Sequence, residues 1–351
     1  MTDSSATVAA LGERALIDRL RRRIPPPPPY VILGVGDDAA VLEPERGRLD
    51  VVTTDALVEH VHFRRDWTPP GAIGHKALAV NLSDLAAMGA TPRAVVLSLL
   101  LPDDLPVADF DAMLDGFLAL ADATGTPLVG GNISRSPGPL VLDVTAIGAV
   151  HRRKMLRRSG ARPGHELYVT GAIGGAAAGL GLLATGAAGA PGATGAGAGR
   201  PALDAALREC VEAYERPVPR LRIAAAVARS RAASAAMDLS DGLADAARQI
   251  AQACDAGVTI DAGSLPIHPG ALDWCRRSAI DPASFALSGG EDYELLFAVA
   301  PRMRNRFLNA VRRAHGPGAT RIGRLNTEPG EWLERAGSRE PLPPGFAHFP
   351  R

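Results

Sequence analysis

Short apolar runs, each closed by glycine, acidic or hydroxyl residues, alternate along this chain with longer stretches of helical period. Residues 11–23 read as a helix, and the run Pro25 to Pro29 ends it in a stiff extended spacer. Val31 to Leu33 then leads into Gly34-Val-Gly-Asp-Asp38, and Leu49 to Val52 reads as a strand leading into Thr53-Thr54-Asp55. Residues 71–89 have helical periodicity and stop at Gly89; residues 94–101 form an apolar strand; 107–124 are helical. Leu128-Val129 is a short strand before Gly130-Gly131-Asn132, and 139–150 alternates as a long strand.

The pattern restarts near Ser159. Strands are expected at 166–170, 235–239, 257–261 and 293–299, and helices at 174–183, 219–230, from 243 to about Cys254, and 301–315, before a final strand pair. Residues 184–200 are almost entirely Ala, Gly, Pro and Thr, the composition of a flexible insert. Strands and helices mix in both halves, so the class is α/β or α+β, in two domains over 1–155 and 156–351. A chain of 351 residues also exceeds what one hydrophobic core usually serves.

Composition removes several function classes. The 38 basic and 38 acidic residues cancel, so there is no nucleic-acid footprint. The cluster Arg19, Arg21, Arg22, Arg23 reads as the solvated face of a helix. Glu13, Arg14 and Asp18 interrupt any signal-peptide core, and no run of about 20 apolar residues implies a membrane span. Cys210, Cys254 and Cys275 lack close pair spacing, as expected of reduced cysteines in a cytoplasmic protein.

The chemistry gathers in the punctuating residues. Acidic, hydroxylated or glycine residues close short apolar strands at Gly36-Asp37-Asp38, Thr53-Thr54-Asp55, Gly130-Gly131-Asn132, Asp238-Leu-Ser240-Asp241-Gly242 and Ser288-Gly289-Gly290-Glu291-Asp292. Any one of them reads as a turn or a helix cap. Five together fit carboxylates that converge on magnesium, with glycine letting backbone N–H groups approach phosphate. Lys76, Asn81 and Asp84 sit in an otherwise apolar helix, where buried polar groups need partners. The GxxxxGK[ST] loop, the protein-kinase motif set, GxSxG and HExxH are absent, and Gly34-Val-Gly36 lacks the third glycine of a dinucleotide fingerprint.

Together with His62-Phe63, Lys76 to Gly89, Met237 to Gly242 and Ser288 to Glu294, these segments resemble the thiamine-monophosphate kinases, nearly end to end and in order. The resemblance implies the two-domain aminoimidazole ribonucleotide synthetase-like fold and a homodimer in which the N-terminal domains pair their sheets. It also implies ATP-dependent phosphorylation of thiamine monophosphate, with several magnesium ions. Carried over by position, Asp38, Thr53, Thr54, Asp55, Asp84, Asp238 and Asp241 fall on magnesium positions. Gly131, Asn132, Arg158 and Ser240 fall on ATP positions, and His62, Glu291 and Phe346 on thiamine-phosphate positions. No catalytic base is implied. The family usually has Asp where this chain has Asn132, which offers an oxygen without the charge. The alternatives are another ATP-using enzyme of the superfamily or a catalytically weak nucleotide-binding protein.

Overall fold

The computed structural model describes residues 6–186 and 203–346. From residue 187 on, the insert expected at 184–200 lies outside the described residues. The chain divides into two compact units, one of residues 6–85 and 91–151, the other of 86–90, 152–186 and 203–346.

The first unit opens with helices α1 (Val8–Leu11) and α2 (Glu13–Arg23), separated by Gly12 at φ 79°. The hairpin strands β1 (Val31–Leu33) and β2 (Val41–Leu42) follow. Then come β3 (Leu49–Val58), α3 (Pro70–Ala87), β4 (Thr91–Pro102), α4 (Val107–Thr124), β5 (Leu128–Ser136) and β6 (Val141–Val150). Among the described residues, four of these strands form one sheet in the order β3-β6-β4-β5. The β4–β5 pair is parallel, so its connection must cross over, and α4 is that crossover.

Strand alternation gives this sheet two different faces. Leu57 on β3, Leu142, Val144 and Ala146 on β6, and Val95, Leu97 and Leu99 on β4 are buried on one side. Val52 and Thr54, then Asp143 and Thr145, then Val96 and Ser98, then Asn132 occupy the other side, which stays partly exposed; Val52 is 64% exposed.

Helix α3 is buried along nearly its whole length. It meets α4 backbone to backbone: a Cβ on Gly74 would lie 1.8 Å from the Met113 carbonyl oxygen, and one on Gly116 1.9 Å from that of Gly71. Arg19 and Arg23 of α2 are ion-paired to Asp111 and Asp115 of α4 rather than simply solvated. The acids sit four apart on one face of α4 and match the arginines four apart on α2.

The second unit contains β7 (Glu166–Thr170), α5 (Gly175–Ala184), α6 (Ala205–Glu215), α7 (Leu221–Ser230), β8 (Ala235–Asp238), α8 (Leu243–Ala253) and β9 (Gly257–Asp261). It continues through α9 (Pro269–Ser278), α10 (Pro282–Ser288), β10 (Leu295–Val299), α11 (Arg304–Arg313), β11 (Ala319–Asn326), β12 (Glu331–Arg335) and β13 (Ser338–Pro341). Among the described residues its sheet runs β13-β12-β9-β11-β7-β10-β8, and only β9 and β12 pair in parallel. Val169, Met237, Leu296 and Ile260 pack with α8 and α10 in one core cluster. Tyr168, Leu295 and Phe297 pack with α7 and α11 in another, where the Phe307 ring lies 5.0 Å from Tyr168 and 5.3 Å from Phe297. The unit is therefore three-layered, and the α/β class expected from the sequence holds in both units.

Gly74→Ala and Gly116→Ala should each lower unfolding stability by about 3 kcal/mol, because the added methyl meets backbone that cannot move aside. Gly138→Ala, where a Cβ meets nothing within 4 Å, should stay within about 0.5 kcal/mol of the parent. Denaturant titration of the three variants checks both expectations.

Candidate functional site

In the first unit, the Gly34–Asp38 loop hangs between β1 and β2. Val31 packs on Ala94 and Val129, and Arg93 fastens the hairpin by donating to the Glu43 carbonyl at 2.6 Å beneath the Tyr30 ring. Asp37 and Asp38 are exposed, and the Asp38 N–H donates to the Asp37 carboxylate at 2.9 Å. Gly36 lies against the Arg21 guanidinium and has φ 131°, backbone that side-chain-bearing residues rarely adopt.

The strand expected to end at Val52 runs on to Val58, since all ten residues of β3 pair with β6. The pleat then sorts the three consecutive candidates. The Thr53 hydroxyl donates to the Asp84 carboxylate on α3, and Asp55 shares that face. Thr54 points to the other face, where its hydroxyl lies 3.1 Å from the Val144 carbonyl and 3.2 Å from the Asp143 carboxylate. The Thr54 side chain is therefore parted from Thr53, Asp55 and Asp84, contrary to the grouping drawn from sequence.

Gly130-Gly131-Asn132 likewise is not a turn but part of β5. Gly131 is required there because a Cβ would lie 2.0 Å from the Leu97 carbonyl oxygen of β4. Asn132 pairs with Ser98, on the same face as Thr54 but on the opposite edge strand, and donates to the Ser134 hydroxyl at 2.9 Å.

Among the described residues, no three His, Cys, Asp or Glu side chains gather as a metal-holding group. The donors beside α3 are a mixed oxygen set instead. Asn81, one turn before Asp84, is fully buried; its amide nitrogen donates to the Ala77 carbonyl at 3.2 Å, and its Oδ1 has no hydrogen-bond partner. An orphaned buried oxygen costs about 1–3 kcal/mol. With the Thr53 hydroxyl and the Asp55 and Asp84 carboxylates nearby in the fold, this donor chemistry fits a hard cation such as magnesium and not a thiophilic one.

His62 sits in the turn after β3. Its N–H donates to the Val58 carbonyl at 2.9 Å, and its Nδ1 accepts the Val58 N–H at 3.1 Å. The neutral ring therefore carries its proton on Nε2.

In the second unit, the turn from Leu239 to Gly242 joins β8 to α8 and is zipped to two other segments. The Tyr293 N–H donates to the Leu239 carbonyl (3.0 Å), the Glu291 N–H to Ser240 (2.7 Å) and the Phe346 N–H to Asp241 (3.2 Å). Ser240, Asp241, Glu291 and Phe346 thus meet where α8 begins, beside Asp238, and Phe346 is 56% exposed. A Cβ on Gly290 would lie 2.5 Å from the Ser240 carbonyl oxygen, so glycine alone permits this closeness. Glu291 and Tyr293 hold left-handed backbone at φ 67° and 48°, uncommon for side-chain-bearing residues. Arg158 joins the same helix: it donates to Gln249 at 2.5 Å, and Gln249 in turn donates to Asp245 in the first turn of α8.

The three acids of the 288–294 loop have separate tasks. Asp292 accepts the Gly174 and Ala176 N–H groups at 2.7 and 3.1 Å, capping α5. Burial nevertheless pushes its carboxyl up to about 7, partly opposed by those two bonds and reinforced by Glu294 and Glu291. Glu294 is buried and held bidentately by Arg220 at 2.5 and 2.8 Å, and it accepts the Thr170 hydroxyl. Sequence reasoning did not find Arg220, because nothing local marks an arginine whose partner is 74 residues away.

Residues 36–150 match the family model for the AIR synthase related protein N-terminal domain, and residues 162–333 that for the C-terminal domain. The chain is 37% identical over 354 residues to thiamine-monophosphate kinase from Synechococcus elongatus, covering 99% of both chains. It belongs to the thiamine-monophosphate kinase family. The crystal structure of the kinase from Stenotrophomonas maltophilia K279a superposes with a TM-score of 0.77 at 38% identity, covering 92% of this chain and 95% of that one. AaThiL complexed with AMPPCP and TMP superposes with a TM-score of 0.74 at 30% identity, over 97% of each chain.

Asp292 gives a pH signature. Its folded value of about 7 lies above the ordinary 3.8, so the unfolded chain releases this proton first. Its contribution to stability therefore falls as pH rises from about 4 to about 7, and the cost is complete above 7. Asp292→Asn removes that titration. Urea unfolding should show the stability of the Asn variant relative to the parent rising across this interval; a difference independent of pH would contradict the assignment.

Proposed function

We propose that the protein transfers the γ-phosphoryl group of ATP to thiamine monophosphate, yielding thiamine diphosphate and ADP. The observation that supports this most is the Ser288–Glu294 loop, docked through Glu291 on the Ser240 turn, in a chain alike from end to end to thiamine-monophosphate kinases. A relative of this fold, AaThiL, is complexed with AMPPCP and TMP.

The transfer is in line. A terminal oxygen of the acceptor phosphate attacks the γ-phosphorus, the bond to the β–γ bridging oxygen breaks, and ADP leaves with the electron pair. The acceptor phosphate is already largely ionised near neutral pH, so no protein base is needed; positioning and charge neutralisation supply the rate. In this reading Asp38, Thr53, Asp55 and Asp84 in the first unit, and Asp238 and Asp241 in the second, hold magnesium, which offsets the repulsion between two anionic substrates. Gly131, Asn132, Arg158 and Ser240 serve ATP, with Arg158 as a phosphate clamp. His62 donates from Nε2 to the thiamine phosphate, and Glu291 and the exposed Phe346 ring serve the rest of that substrate.

The protein acts as a homodimer through the open face of the β3-β6-β4-β5 sheet. Support comes from that face itself: Val52, Val96 and Ile147 leave apolar surface on a sheet with helices on its other side. Thr54 belongs to this paired surface rather than to the Thr53–Asp84 set. The three cysteines form no disulfide, and among the described residues no helix is long and apolar enough to cross a membrane. We assign the reaction to the cytoplasm.

Purified protein with ATP, magnesium and thiamine monophosphate should form thiamine diphosphate, read by chromatography, and should form none without magnesium. ATP binding without product would replace this reading with a nucleotide-binding role. Sedimentation should return the mass of two chains; a monomer at micromolar concentration would remove the dimer.

A further inference from the structure

Lysine is rare in this chain, and one of its two lysines, Lys76, is completely buried in the middle of α3. Burying an ammonium group is among the costliest arrangements in a fold unless something offsets it. Its nitrogen lies 3.5 Å from the main-chain carbonyl oxygen of His62, fourteen residues earlier. We propose that Lys76 is a positioning residue for thiamine monophosphate, acting through the His62 turn; this rests on the function proposed above and on the role of His62 in it.

The turn does not require a lysine in order to form. The His60 N–H donates to the Phe63 carbonyl at 2.8 Å, and the Glu59 N–H to the Leu140 carbonyl at 2.9 Å. Glu59 is buried, held by Arg65 at 2.6 Å and by the Leu140 N–H at 3.0 Å, and Phe63 is buried beside it. An apolar side chain at position 76 would fill the same volume without desolvating a charge. The Lys76 nitrogen adds what an apolar group cannot. It draws the His62 carbonyl toward α3, fixing the peptide from which the imidazole projects, while Val58 fixes the ring through Nδ1. This bears on the acceptor phosphate and not on ATP.

Lys76→Met tests this, with Lys76→Gln as a second variant that fills the same space without charge should the Met variant not fold. Thermal unfolding first establishes that each variant is folded. The folded variant should raise KM for thiamine monophosphate about tenfold or more while kcat changes less than about threefold and KM for ATP stays unchanged. A purely structural lysine would move the melting temperature without this split. An unchanged KM for thiamine monophosphate in a folded variant of an active enzyme overturns the role of Lys76 alone. Absence of thiamine monophosphate turnover in the parent overturns the functional reading and this inference with it.

Discussion

Helix α3 carries Lys76, Asn81 and Ser83 at zero exposure, with Asp84 beside them, and such groups are tolerated in a core only where partners offset their lost hydration. Much of the first unit is arranged around that demand. Thr53 of β3 reaches Asp84, the His62 carbonyl meets Lys76, and Ala77 takes one side of the Asn81 amide. The helix can sit so deep because Gly74 and Gly116 let α3 and α4 touch backbone to backbone. A helix buried this fully for stability alone would be apolar throughout. Lys76 and Asp84 lie where the turn after β3 and β3 itself arrive, and in the proposed reading the oxygen donors there would hold a cation.

The second unit solves a related problem with backbone rather than side chains. The Leu239–Gly242 turn is held by main-chain bonds to the 288–294 loop and to Phe346. The loop itself is secured by Asp292 on the α5 N-terminus and by Glu294 on Arg220 and Thr170. Asp292 and Glu294, just after Glu291 in the chain, are thus consumed in positioning it, and left-handed backbone at Glu291 is kept by those anchors.

Much of this was legible from periodicity. The helix expected at 107–124 and the strand expected at 257–261 fall where α4 and β9 lie, because each is a long or sharply bounded apolar pattern. The site was legible as a set of residue types, less so as an arrangement. Thr53-Thr54-Asp55 and Gly130-Gly131-Asn132 look like strand ends because hydroxyls, acids and glycines usually mark turns. Both lie inside strands: β3 is held by ten consecutive partners on β6, and Gly131 is selected by the closeness of β4 rather than by chain reversal. Such causes are distant in sequence and leave no local signal. The same holds for Arg19 with Asp111 and for Arg220 with Glu294.

The central claim is that the oxygen donors beside α3, with Asp84 at their centre, carry the charge neutralisation on which phosphoryl transfer depends. The most direct measurement is the rate of thiamine diphosphate formation by Asp84→Asn at saturating ATP and thiamine monophosphate across a magnesium titration, with folding verified by thermal unfolding. The account predicts a folded protein whose turnover falls by about 100-fold or more and is not restored by magnesium. Parent-like turnover from the folded variant at ordinary magnesium would contradict it.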